Sequence, residues 1–142
     1  MRNLSILLLV FSLPLAGEKK VISPSEFGAG SPNYSPAILA DGTLYISGQI
    51  GQDLKSKQVP ADFDAEVKTV LSNIGIVLKA AGMTYDDVVS VQVYLTDMEL
   101  FARMNTVYQT FFKAPRPSRT TVGVTKLALP EAHIEVTVTA RK

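Results

Sequence analysis

The stretch PRPSRTTVGV, residues 115–124, places Arg116 and Arg119 among prolines at the mouth of a strand pattern. A guanidinium is a planar fork that holds a carboxylate through two parallel hydrogen bonds, and Pro115 and Pro117 stiffen the backbone that presents it. Glu135 stands in a later alternating run, HIEVTVTA. Read with period two, Ile134, Val136, Val138 and Ala140 point one way, and His133, Glu135, Thr137 and Thr139 the other. The same reading of RTTVGV puts Val122 and Val124 with the apolar set, and Arg119, Thr121 and Gly123 on the polar face with Glu135. A carboxylate there could take a proton from water or return one to a leaving amine, provided burial lifts its pKa toward neutrality. An ion pair between Arg119 and Glu135, or separate surface pairings, accounts equally well for these two residues. Arg116 reads as a rim residue.

Other chemistries are narrowed by what the chain lacks. It has no cysteine, which removes disulfides, thiolate nucleophiles and cysteine metal sites. His133 is the single histidine, and without clustered ligands it reads as a partly exposed strand residue and not as part of a metal site. No metal site is expected.

The elements that would position these residues are legible in the pattern. AILADGTLYISG reads as two strands around an Asp41-Gly42 hairpin turn, with Leu44 and Ile46 inward and Thr43, Tyr45 and Ser47 outward. Val67, Val70, Leu71, Ile74, Val77, Leu78 and Ala81 keep helical spacing, with Asp62 as N-cap and Gly82 as the stop. DDVVSVQVYLTD follows as a strand with Val89, Val91, Val93 and Leu95 on its core side. Thr96 and Glu99 fit a capping box opening a second helix that carries Leu100, Phe101, Met104, Val107, Tyr108, Phe111 and Phe112. Tyr108 and Phe112 read as core residues. Strands, helix, strand, helix, strands in that order predict an α+β fold, a mixed sheet with two helices packed on one face. The mixed polar face left over suits a subunit interface.

With 142 residues, 46% of them hydrophobic, the chain suits one domain with a core of ordinary size. Residues 1–17, MRNLSILLLVFSLPLAG, combine Arg2, an apolar run and a small-residue end, the layout of a signal peptide. The expectation is an exported protein, periplasmic or secreted, with a mature domain over residues 18–142 that is not held in a membrane; a first core strand or an uncleaved anchor are the alternatives for this segment. Arg2 is its one charged residue, so the remainder carries equal numbers of acidic and basic side chains. No basic run marks nucleic acid as a partner.

Three stretches carry a resemblance: LYISGQIG; NIGIVLKAAGMTYDDVVSVQVYLTDMELFARMNTVYQTFF; and PRPSRTTVGV with LPEAHIEV behind it. From about the Asp41 hairpin to the C-terminus the chain resembles the RidA/YjgF family of reactive-intermediate deaminases. The resemblance implies a chorismate-mutase-like fold assembled as a homotrimer, its sheets forming a central barrel and its sites lying in clefts between subunits. It also implies hydrolysis of enamines and imines of the 2-iminobutanoate and 2-iminopropanoate type to 2-oxo acids and ammonia, without a cofactor. By position in the family's motifs, Arg119 would bind the substrate carboxylate and Glu135 would position water. Tyr34, Ser47, Gly48 and Asn105 would line the substrate site. Thr121 stands where many relatives carry a cysteine. A trimeric carboxylate-binding protein without turnover, and an RNA-cleaving or chaperone-like family member, are the other functions the resemblance leaves open.

Overall fold

The computed structural model describes residues 17–142. All but the last residue of the expected signal segment lies outside the described residues. Six strands form one sheet: β1 (Lys20–Ile22), β2 (Ala37–Ala40), β3 (Thr43–Ile50), β4 (Val88–Leu95), β5 (Ser118–Gly123) and β6 (Ile134–Arg141), in the order β1-β2-β3-β6-β4-β5. Neighbours are antiparallel except β4 and β5, which run parallel. The sheet is therefore mixed, as expected. Two helices, α1 (Phe63–Ala80) and α2 (Phe101–Phe111), pack against each other, and α1 lies on β3 and β6.

Local chemistry explains most of these boundaries. Asp41 and Gly42 both adopt positive φ, 48° and 73°, and join β2 to β3 in a two-residue hairpin whose twist matches the strands. Asp62 caps α1 by accepting a hydrogen bond from Ala65 N at 2.9 Å, and Gly82, at φ 70°, lets the chain leave the helix. The apolar stripe of α1 is buried against Leu44, Ile46, Val136 and Val138 of the sheet. Phe112, 1% exposed, stacks on Tyr108 at 4.4 Å between ring centroids and meets Tyr85 edge-on at 5.5 Å.

Four details differ from the sequence reading. β1 adds a short edge strand at residues for which the sequence reading named no element. In β4, Val88 and not Val89 is buried: a bulge between Val88 and Ser90 against β6 shifts the alternation by one residue, leaving Val89 49% exposed. The cap ahead of α2 is Asp97, which accepts from Glu99 N at 2.8 Å and opens a 3-10 turn over Met98–Leu100; the Thr96/Glu99 box does not form. His133 lies just before β6, where the chain has not yet entered the pleat, and its ring turns to the helix side beside Glu66 instead of to the polar face.

Glu66 was not anticipated at all. It sits on the buried face of α1 with no exposed surface, and its carboxylate accepts hydrogen bonds from His133 N (2.7 Å) and Ile134 N (3.3 Å) and meets His133 Nδ1 at 2.9 Å. The two amides at the head of β6 have this carboxylate as partner, so one side chain ties the central strand to the helix layer. A side chain at Gly51 would collide with Glu66, including its backbone carbonyl at 2.6 Å, so the close approach here requires glycine. Glu66→Leu keeps the volume and removes the acceptor; with each orphaned buried donor costing about 1–3 kcal/mol, urea unfolding should show a clear loss of stability, while Glu66→Gln, which still accepts, should lose less.

Candidate functional site

Arg119 points to the helix side of the sheet. It pairs in register with Val91, which in turn pairs with Val138, and both valines are buried beneath the helices. Its guanidinium carbon lies 4.6 Å from the Tyr108 ring centroid and 5.7 Å from that of Phe101, and Nη1 is 3.9 Å from Met104 Sδ. Val122, on the same strand and paired with Tyr94, is the outward residue, 41% exposed. This reverses the expected division of β5. The reason is lateral: β5 is an edge strand, its helix side is flanked by the start of α2, and aromatic faces there accept a half-buried cation.

Around this guanidinium, Asn105, Tyr108, Gln109, Arg116 and Pro117 line an open cleft of about 450 Å³. Asn105 and Arg119 line the same cleft, and Arg116 is exposed at its rim. Tyr108 and Thr121, treated from sequence as a core residue and as a mere replacement for cysteine, each carry a buried hydroxyl with no hydrogen-bond partner. Burial raises the Tyr108 hydroxyl above its ordinary pKa, and the nearby Arg119 and then Arg116 pull it partly back. The sequence signal for Tyr108 was its place one turn after Asn105 on α2, which aims both at one end of β5.

Glu135 faces the other way. It pairs with Tyr94 and Ile50, and its side chain lies over Gly48, where a Cβ would collide with the carboxylate. The bulge between Ile46 and Gln49 in β3 places Gly48 there. Gly48 and Tyr34, which is 61% exposed, line a separate cavity of about 240 Å³ with Phe27, Gln49 and Asn73. Ser47 supports this side: its hydroxyl donates to the Ser35 carbonyl at 2.7 Å, holding the segment that carries Tyr34 against β3. Burial pushes the Glu135 carboxyl above the usual carboxylate range.

Arg119, with Asn105 beside it, and Glu135, with Gly48 beside it, thus lie on opposite faces of the sheet, while Tyr34 shares a cavity with Gly48 and Ser47 braces the segment that carries Tyr34. β4 separates β5 from β6, so Arg119 and Glu135 are also about 10 Å apart laterally. The expectation that both share one face of one chain is corrected. They form no ion pair with each other; among the described residues the salt bridges are Arg103 with Asp62 and Asp64, and His133 with Glu66. Among the described residues no group of three or more His, Asp or Glu side chains could hold a metal ion, and no helix is long and apolar enough to cross a membrane.

The family model described as endoribonuclease L-PSP matches residues 28–142. The chain belongs to this family, the RidA/YjgF proteins. It is 42% identical over 120 residues to the 2-iminobutanoate/2-iminopropanoate deaminase of Rattus norvegicus, covering 83% of this chain and 86% of that protein. A RutC family protein of Aquifex aeolicus is 35% identical over 77% of this chain and 88% of its own length. Among solved structures, RidA from an Antarctic Psychrobacter superposes with a TM-score of 0.81 at 32% identity, over 87% of this chain and 99% of that one. The Escherichia coli YjgF structure gives 0.81 at 30% identity, over 87% and 98%. The two-helix, one-sheet RidA/YjgF architecture is therefore the fold of this domain.

The raised Glu135 pKa has a signed consequence for this RidA/YjgF domain. The unfolded chain releases the Glu135 proton at lower pH than the folded one, so the group's contribution to stability is full below the unfolded pKa and is lost as pH rises through the folded value. Glu135→Gln cannot ionise. Relative to the parent it should gain stability between about pH 4 and about pH 7, a difference that urea unfolding at the two pH values will register.

Proposed function

We propose that this chain is an imine deaminase that hydrolyses small 2-imino acids and their enamine tautomers to 2-oxo acids and ammonia, in clefts between the chains of a homotrimer. The observation that carries the reading is Arg119: a guanidinium with no ion-pair partner among the described residues, lying over the rings of Tyr108 and Phe101 at the wall of a cleft that also receives Asn105. A carboxylate is the ligand this arrangement lacks. The names borne by relatives of about 40% identity point to the same substrate class.

The chemistry asked of the site is modest, because an imine carbon is already electrophilic. Arg119 takes the substrate carboxylate in its fork, and Asn105 adds a hydrogen bond. Glu135, ionised, accepts a proton from a water as the water oxygen bonds to the imine carbon and the C=N π pair moves to nitrogen. That proton returns to nitrogen to give a carbinolamine, and passage of the carbinolamine hydroxyl proton to nitrogen as the C–O double bond forms lets the C–N bond break, releasing ammonia and leaving the 2-oxo acid. Holding water and substrate together can account for several powers of ten in rate. The backbone at Gly48 lies beside the Glu135 carboxylate, with Tyr34 and Ser47 shaping that wall.

Arg119 and Glu135 cannot meet on one chain, since they occupy opposite faces of its sheet. They can meet when the outer sheet face of one chain approaches the β5 edge of another. Tyr45, Val89 and Val122, 54%, 49% and 41% exposed, are the apolar residues that such an assembly would cover. The site is then made by two subunits, one supplying Arg119 and Asn105 and the next supplying Glu135, Gly48 and Tyr34.

Ammonia release from imino acids generated in place by an amino-acid oxidase tests this. The parent should accelerate release, Arg119→Ala should abolish it, and Glu135→Gln should lower it at least a hundredfold. Refolding the two inactive variants together should restore about a quarter of the sites, those pairing an intact Arg119 with a neighbour's intact Glu135. No recovery from well-folded mixed trimers would overturn the two-subunit site. Carboxylate binding that depends on Arg119 without ammonia release would instead identify a binding protein. We read residues 1–17 as an export signal; N-terminal sequencing of protein from the exported fraction should then begin near Glu18.

A further inference from the structure

Arg119 is not the only cation at its cleft. Arg116 lines the same space, together with the amides of Asn105 and Gln109, and no acidic side chain contributes to the wall. Neither arginine has an ion-pair partner among the described residues. Three residues of extended chain span at most about 10 Å, and Pro117 locks the backbone between the two arginines, so their long side chains can converge on one small molecule. Both guanidiniums act on the Tyr108 hydroxyl, which is buried at the wall of this cleft without a hydrogen-bond partner. A single carboxylate satisfies one fork and leaves the other cation without a counter-charge.

We propose that Arg116 and Arg119 together select 2-imino acids that carry a second carboxylate, Arg119 holding the carboxylate next to the imine carbon and Arg116 the distal one. The inference rests on the imine-deaminase reading for its chemistry and names the substrate class. Position separates the roles. Arg119 is half-buried and stacked on aromatic rings, so its geometry is fixed and suits the reacting end. Arg116 is exposed at the rim, where it can follow distal groups of different length. Being solvated, it should contribute about a tenfold preference and not an absolute requirement.

Two measurements on the full chain separate this inference from the reading beneath it. In calorimetric titrations of the oxo-acid products, 2-oxoglutarate should bind about tenfold more tightly than 2-oxobutanoate. Arg116→Gln should weaken 2-oxoglutarate about tenfold more than it weakens 2-oxobutanoate, and added salt should erode the preference. In the ammonia assay, the imine formed from glutamate should show the higher kcat/KM over the imine formed from 2-aminobutanoate, with the advantage lost in Arg116→Gln. Equal binding of the two oxo acids, or a preference that survives Arg116→Gln, overturns the proposal and leaves Arg116 a rim residue, whatever the turnover. Arg119-dependent hydrolysis of the 2-aminobutanoate imine with no advantage for the glutamate imine likewise sinks the proposal and keeps the deaminase. A 2-oxoglutarate preference that depends on Arg116, in a protein that releases no ammonia from either imine, sustains the selectivity and removes the deaminase.

Discussion

Side chains alternate across a β-sheet, and in this protein two helices cover one face of it. That constraint decides where every chemically useful group can point. β6 runs through the middle of the sheet, so Ile134, Val136, Val138 and Ala140 must fill the space under α1, and Glu135 is left on the uncovered face. β5 is aligned with β4 in parallel register, and Val91 and Val93 of β4 are core residues. Arg119 and Thr121 share their face. The two residues best suited to act on a carboxylate-bearing substrate are consequently held back to back.

This separation gives the uncovered sheet face its importance. A sheet covered by helices on one side only leaves Tyr45, Val89 and Val122 exposed, the residues that the proposed association would cover. On the proposed reading, association and catalysis have one cause: the contact that removes these residues from water also brings one chain's guanidinium to its neighbour's carboxylate. Burial within one chain already raises the Glu135 pKa, and a neighbouring chain would change its surroundings further, exchanging water for a cation and substrate.

Buried hydrogen bonds and ring contacts tie the helix layer to the strands that carry the two candidate groups. Glu66 fastens the first amides of β6 to α1, two residues ahead of Glu135 on the same strand. The aromatic group of Tyr85, Tyr108 and Phe112 fixes α2, and Tyr108 is also the platform for Arg119. Packing and positioning therefore use the same side chains, so the residue that reads as core in the helical pattern is also a wall of the cleft.

What the sequence determined by itself is local. The Asp41-Gly42 hairpin, the span and cap of α1, the apolar stripe of α2 and the alternation of β6 follow from positive-φ tolerance, capping and periodicity, all of which act within a few residues along the chain. That a guanidinium such as Arg119 can act as a carboxylate fork was legible for the same reason, being a property of the side chain. Tertiary structure decided the rest. A bulge against β6 exchanged Val89 for Val88, lateral pairing with β4 turned Arg119 toward the helices, and the helix packing gave Glu66 its amide partners. Each of these depends on which strand or helix lies alongside, and the alternation within a strand is the same whichever face is covered. Only the neighbours break that symmetry, and they are distant in sequence.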